Sequence, residues 1–182
     1  MIDRVVTITG PPGSGKSTAG RAVAGRLGLE YRSAGDLFRA EAQARGLSLD
    51  AFGRLAQSDE TIDRALDARM LALAAPGRIL DGRVSGALCR SRGILCHYLV
   101  VTARPEVRYA RLAARDRLPL AEATRETDRR EESERDRYLR YYGIDLAREV
   151  ADLTVDASDL SPEAVVDRLV DFLGSRSPGA PR

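Results

Sequence analysis

Between residues 4 and 9 the chain reads RVVTIT, a β-branched run that stops at Gly10, and this predicts a short buried strand. Ala19, Val23 and Leu27 then recur at a spacing of four, the mark of an amphipathic helix, which Gly28 should end. LEYRS (29–33) reads as a second strand, and residues 35–75 as helical with breaks around Gly46 and Ser58–Asp59. RILD (78–81) is a third strand, followed by a glycine turn and a helix from about Val84. ILCHYLVVTA (94–103) is the longest apolar run and predicts a central strand. Pro105 suits the first turn of a helix that continues to about Asp116. After a break at RLPLAEAT comes a long polar helix over about 120–142, then a last strand at LTVD (153–156). SPEAVVDRLVDFL closes the pattern, with Ser161 as N-cap and Pro162 at the first helical position.

Strands that alternate with helices specify an α/β fold with a mainly parallel sheet. We expect one domain over residues 1–173 and a disordered tail over 174–182, whose sequence is rich in Gly, Ser and Pro. No repeat is present. A chain of 182 residues, 43% of them hydrophobic, is long enough for a sizeable core. Charged residues make up 31%, yet 29 basic against 27 acidic leaves only +2, no footprint for nucleic acid. No stretch approaches the roughly 20 apolar residues of a membrane span, so a cytoplasmic protein is expected, and one compact domain suggests a monomer. Cys89 and Cys96 lack metal-ligand companions and read as two buried thiols. His97, the only histidine, falls on the predicted central strand and reads as a core or strand-edge residue.

One position stands apart from the arginine-rich composition. Lys16 is the only lysine among the 29 basic residues, and it lies in GPPGSGKST (10–18). Gly10, Gly15, Lys16 and Ser17 match G-x-x-x-x-G-K-[ST] between a predicted strand and a predicted helix. Backbone N–H groups from Gly10, Pro11, Pro12, Gly13, Ser14 and Gly15 onward, prolines excepted, would turn inward around a polyphosphate. Lys16 would reach the β- and γ-phosphates, and Ser17 would ligate Mg²⁺. Arginine is too broad for such a nest. A guanine-reading NKxD motif is impossible without a second lysine.

The arginines then suggest a second substrate. SAGDLFR sets Ser33, Asp36 and Arg39 at a strand-to-helix junction, and DGR sets Asp81 at a strand end with Arg83 just beyond. Ligands bind at this carboxyl edge in open parallel sheets. Asp81 would hold the Mg²⁺ shell, through water, or position the acceptor. Arg108, Arg111 and Arg115 share a helical face. Ala123, Thr127, Arg130, Glu134, Arg137 and Tyr141 form a second stripe, polar enough to suit a lid over a cleft rather than a face packed on a core. Phosphoryl transfer needs cations on the moving group and a clamp on the acceptor phosphate.

With GPPGSGKST, SAGDLFR, RGLSLDAFGRLAQSDETIDRALD, the DGR of 81–83 and RREESERDRYLRYYGID in view, the chain resembles the short-type cytidylate kinases over about residues 4–173. These belong to the nucleoside monophosphate kinases among P-loop NTPases. The resemblance implies a three-layer fold whose five-stranded parallel sheet has the order 2-3-1-4-5. It implies ATP- and Mg²⁺-dependent phosphorylation of CMP or dCMP. Gly10 to Thr18 would bind ATP. Ser33, Arg39, Arg83, Arg130 and Arg137 would surround the monophosphate, with Glu134 near the ribose. Residues 40–75 would be the monophosphate-binding insertion, and 115–128 the lid, with Arg111 and Arg115 as transition-state donors. Two departures stand out: Asp81 replaces the glutamate of short-type members, and Val84 stands where longer types place a base-contacting aspartate. Asp63 and Asp67 are therefore the candidates for reading the base, since cytosine carries an exocyclic amine. Other readings remain open: a kinase for UMP, AMP, a modified pyrimidine nucleotide or a non-nucleotide alcohol, or a nucleotide-dependent regulatory protein.

Overall fold

The computed structural model describes residues 2–176. Five strands, β1 (Val5–Thr9), β2 (Glu30–Ser33), β3 (Arg78–Asp81), β4 (Cys96–Thr102) and β5 (Leu153–Asp156), form one sheet in the order β2-β3-β1-β4-β5. All neighbouring pairs are parallel. The order is the one the resemblance implies. Strand parity divides the interior into two layers, because successive side chains leave a strand on opposite faces. Val6, Ile8, Ile79, Leu99 and Val101 are buried with α1 (Lys16–Leu27) and α8 (Pro162–Ser175), whose Leu169 and Leu173 are fully enclosed. Val5, Leu80, Cys96 and Tyr98 face the other way, onto Met70 and Cys89.

The remaining helices are α2 (Ala34–Ala44), α3 (Leu49–Ser58), α4 (Glu60–Ala72), α5 (Ser85–Ser91), α6 (Pro105–Asp116) and α7 (Leu120–Tyr142). Ser161 caps α8 by accepting from the Ala164 N–H at 3.1 Å, as its sequence context predicts. The α5 helix begins one residue after Val84, and β4 starts at Cys96 rather than 94. Gly93 and Ile94 instead close the preceding turn onto the carbonyls of Arg90 and Cys89. Helix α8 extends to Ser175, so the expected tail begins inside a helix; its residues 177–182 lie outside the described residues.

Register decides where the chemistry converges. Ser33 and Ile8 both stand beside Asp81, so the carboxyl ends of β1, β2 and β3 lie level. A small separate core of Ala42, Phe52, Ala56, Ile62 and Leu66 holds α2, α3 and α4 together beside that edge.

Candidate active site

The turn from β1 into α1 has left-handed backbone at Gly13 (φ 76°) and Gly15 (φ 92°). Gly13 also lies against α6: a Cβ there would stand 2.6 Å from the Arg108 carbonyl oxygen. At Gly10 a Cβ would meet the Val101 carbonyl oxygen at 2.0 Å, so β4 presses directly on the loop. No acidic residue occupies the first turn of α1, which leaves its positive end available to an anion. Within the loop the buried Ser14 hydroxyl has no hydrogen-bond partner, the condition of a cradle built for phosphate oxygens. Lys16 makes one long contact, Nζ to the Pro11 carbonyl at 3.5 Å. Burial lowers its pKa to about 8, against the opposing pull of Asp81.

Asp81 is buried at the end of β3. Its Oδ2 accepts from the Ser17 hydroxyl at 2.5 Å and from the Tyr31 hydroxyl at 2.5 Å. An oxygen-only set of one carboxylate and one hydroxyl beside a phosphate cradle fits Mg²⁺, which keeps most of its water and draws its other ligands from phosphate. Among the described residues no cluster of three or more His, Cys, Asp or Glu offers a cage of its own.

Across the cleft, Glu134 of α7 is buried between two guanidinium groups. Its Oε2 accepts from Arg83 Nε at 2.6 Å and its Oε1 from Arg130 Nε at 2.7 Å. Arg83 also donates through Nη1 to the Gly10 carbonyl at 2.7 Å, which ties α7 to the glycine loop. Farther along α7, Arg137 Nε stands 2.9 Å from Asp63 Oδ2 of α4. Both atoms are buried, and beyond this ion pair neither has a hydrogen-bond partner among the described residues. Asp67, one turn along α4, accepts from the Tyr142 hydroxyl at 2.9 Å, and burial raises its pKa to about 6.

Comparison with known proteins supplies the family. A family model described as an AAA domain matches residues 9–134. The cytidylate kinase of Aeropyrum pernix is 45% identical over 159 residues, covering 86% of this chain and 91% of the relative. That of Halobacterium salinarum is 41% identical over 171 residues, covering 92% and 88%. The chain belongs to the cytidylate kinase family. Solved structures agree on the fold: Acinetobacter baumannii shikimate kinase in complex with shikimate has a TM-score of 0.61 at 17% identity, covering 96% of this chain and 94% of that chain. TT1252 from Thermus thermophilus also scores 0.61, at 22% identity, covering 96% and 98%.

In this cytidylate kinase relative the other expected site residues are placed less uniformly. Ser33 Oγ caps α2 by accepting from the Asp36 N–H at 3.3 Å. Asp36 is held by Arg39 and stands 3.6 Å from Arg21, at an exposed rim. Arg111 reaches the carbonyls of Gly13 and Ser14 at 3.5 and 3.4 Å, and Ala157 at 2.8 Å. Arg115 turns away onto Asp116 in a bidentate pair at 2.7 Å and is largely exposed. Thr18 is exposed on α1.

The stripe on α7 corrects one expectation. Its polarity suggested a face not packed on a core, yet Ala123, Thr127, Glu134 and Tyr141 are buried. The face turns inward because its partners are charged as well: guanidinium groups and carboxylates neutralise one another there, so apolar side chains are not required. Two residues central to this arrangement are not among the expected site residues: Arg108, on the basic face it shares with Arg111 and Arg115, and Tyr31 on β2. Arg108 is buried and donates to the carbonyls of Ala103 and Pro12, each at 3.1 Å, and to Glu131 at 2.5 Å, bracing the loop against α6 and α7. Tyr31 could have been found from strand parity, since it shares a face of β2 with Ser33. Cys89 and Cys96 are buried and unbridged, and His97 is buried in β4. Among the described residues no helix is long and apolar enough to cross a membrane.

Proposed function

We propose that this chain transfers the γ-phosphate of ATP to CMP or dCMP. The observation that carries the reading is the meeting of two cationic sites at one sheet edge: Lys16 on the glycine loop, and Arg83 fixed between that loop and Glu134. Lys16 and the loop N–H groups hold the donor phosphates. Arg83, Arg39, Arg130 and Arg137 hold the acceptor, and Arg111 carries charge to the transferring group from beside Ser14. Mg²⁺ bound at Ser17 and Asp81 would supply neutralisation of the β- and γ-oxygens. Residues 40–75, with their own small core, form the monophosphate-binding arm, and residues 115–128 form a lid. In support, the relatives are named cytidylate kinases and align along most of both chains.

Asp63 and Arg137 read the base. A carboxylate oxygen and a guanidinium N–H, buried as an ion pair at 2.9 Å with no further partner among the described residues, complement the exocyclic amine and the ring acceptors of cytosine. Uracil would bring a carbonyl oxygen against the carboxylate. Asp63→Asn is expected to lower kcat/KM for CMP by roughly 10- to 100-fold and that for UMP much less, since only cytosine loses a charge-assisted bond. Equal losses on CMP and UMP refute the assignment.

Following ADP release in a coupled assay with CMP, dCMP, UMP, AMP and shikimate tests the whole reading. CMP or dCMP is expected to be preferred. Preferred turnover of AMP overturns the base assignment, and ATP binding with no acceptor-stimulated ADP release overturns the kinase reading.

A further inference from the structure

Tyr31 has no part in any phosphate-binding motif, yet its hydroxyl ends on the carboxylate beside the donor site. It donates to Asp81 Oδ2 at 2.5 Å, the same oxygen that accepts from Ser17 at 2.5 Å. The ring is held in place independently of that bond. It lies against Gly20 of α1, where an added Cβ would stand 2.9 Å from Tyr31 Cε2, and the Arg21 guanidinium sits 4.9 Å from its centroid.

We propose that Tyr31 is a positioning residue for the divalent cation of the transfer reaction, an inference that rests on the kinase reading above. Two donors on one oxygen fix the rotation of the Asp81 carboxylate and leave Oδ1 to turn toward the cation's waters. Ser17 cannot do this alone. Its hydroxyl oxygen is itself a candidate ligand, so its orientation is shared between carboxylate and cation. Tyr31 sits on the opposite strand and has no such second duty. Partners that orient a metal-binding carboxylate typically govern affinity by 10- to 100-fold.

Tyr31→Phe keeps the ring, its seat against Gly20 and the arginine above it, and removes only the donor. Two readouts are needed: Mn²⁺ binding to the protein–ADP complex by electron paramagnetic resonance, and the Mg²⁺ concentration for half-maximal turnover of CMP with ATP. The Mn²⁺ Kd and the half-saturating Mg²⁺ concentration are both expected to rise roughly tenfold, with kcat at saturating Mg²⁺ and the melting temperature close to wild type. Unchanged Mn²⁺ affinity, or a loss confined to kcat at saturating metal, overturns the proposal. Because Mn²⁺ binding with ADP needs no acceptor, it reports on Tyr31 even if CMP proves to be the wrong substrate. If the phenylalanine variant does not fold, Gly20→Ala displaces the ring with its hydroxyl intact. It is expected to weaken Mn²⁺ binding in the same direction, and wild-type binding there also overturns the role.

Discussion

Lys16→Ala is expected to lower kcat by roughly 10³-fold while the protein remains folded, because the ammonium is one of the charges preorganised for the transferring phosphate. Among the described residues its only hydrogen bond is the 3.5 Å contact to Pro11, so little structure is lost with it. A measured kcat within tenfold of wild type contradicts the role. The same residue predicts a pH dependence. Burial lowers its pKa from 10.5 to about 8. As pH rises through 8 the folded protein loses this proton, whereas the unfolded chain keeps it until near 10.5. Stability from this group therefore increases across that window, while affinity for ATP falls. The Kd of ATP is expected to rise about tenfold per pH unit above 8 in the wild type and to stay flat in Lys16→Ala. A wild-type Kd that holds constant to about pH 9.5 excludes the ammonium as a phosphate ligand.

Glu134→Gln is expected to be the most destabilising of the conservative changes. Burial alone would raise the pKa of Glu134, but Arg83 and Arg130 outweigh it and hold the carboxyl at about 2. Relative to 4.5 in the unfolded chain, that contributes about 3 kcal/mol near neutral pH. The sign follows from the direction: the contribution is full above the unfolded value and is lost as pH falls through about 2. An amide keeps the shape but carries no charge, leaving two guanidinium groups facing each other across a neutral acceptor. Urea titration at pH 7 should show a loss of about 3 kcal/mol, and the variant's stability should vary less than wild type between pH 4.5 and 2. Equal wild-type and variant stability at pH 7 would mean the pair is a solvated contact.

Much of the donor half was legible because it is local. Gly10, Gly15, Lys16 and Ser17 lie within eight consecutive residues, and their backbone requirements can be stated without knowing any distant contact. The acceptor half and the cation site are not local. Arg83 and Glu134 are 51 positions apart, and Tyr31 and Asp81 are 50 apart. Spacing along a helix placed Glu134 on a stripe but could not show whether that stripe faced water or protein. Its burial follows from the charges opposite it, Arg83 in the turn after β3 and Asp63 of α4.

By itself, then, the sequence determined the alternation of strands and helices, the caps, the phosphate cradle and the set of charged residues near it. Each depends on periodicity or on backbone geometry within a few residues. Only the tertiary structure decided which charges meet. It joins Arg83 to both Gly10 and Glu134, sends Arg115 to Asp116 at the surface, and brings Tyr31 onto Asp81. The physical reason is that a charge is stabilised or penalised by whatever lies within a few ångströms of it, and in a parallel sheet those neighbours come from strand register and not from the adjoining sequence.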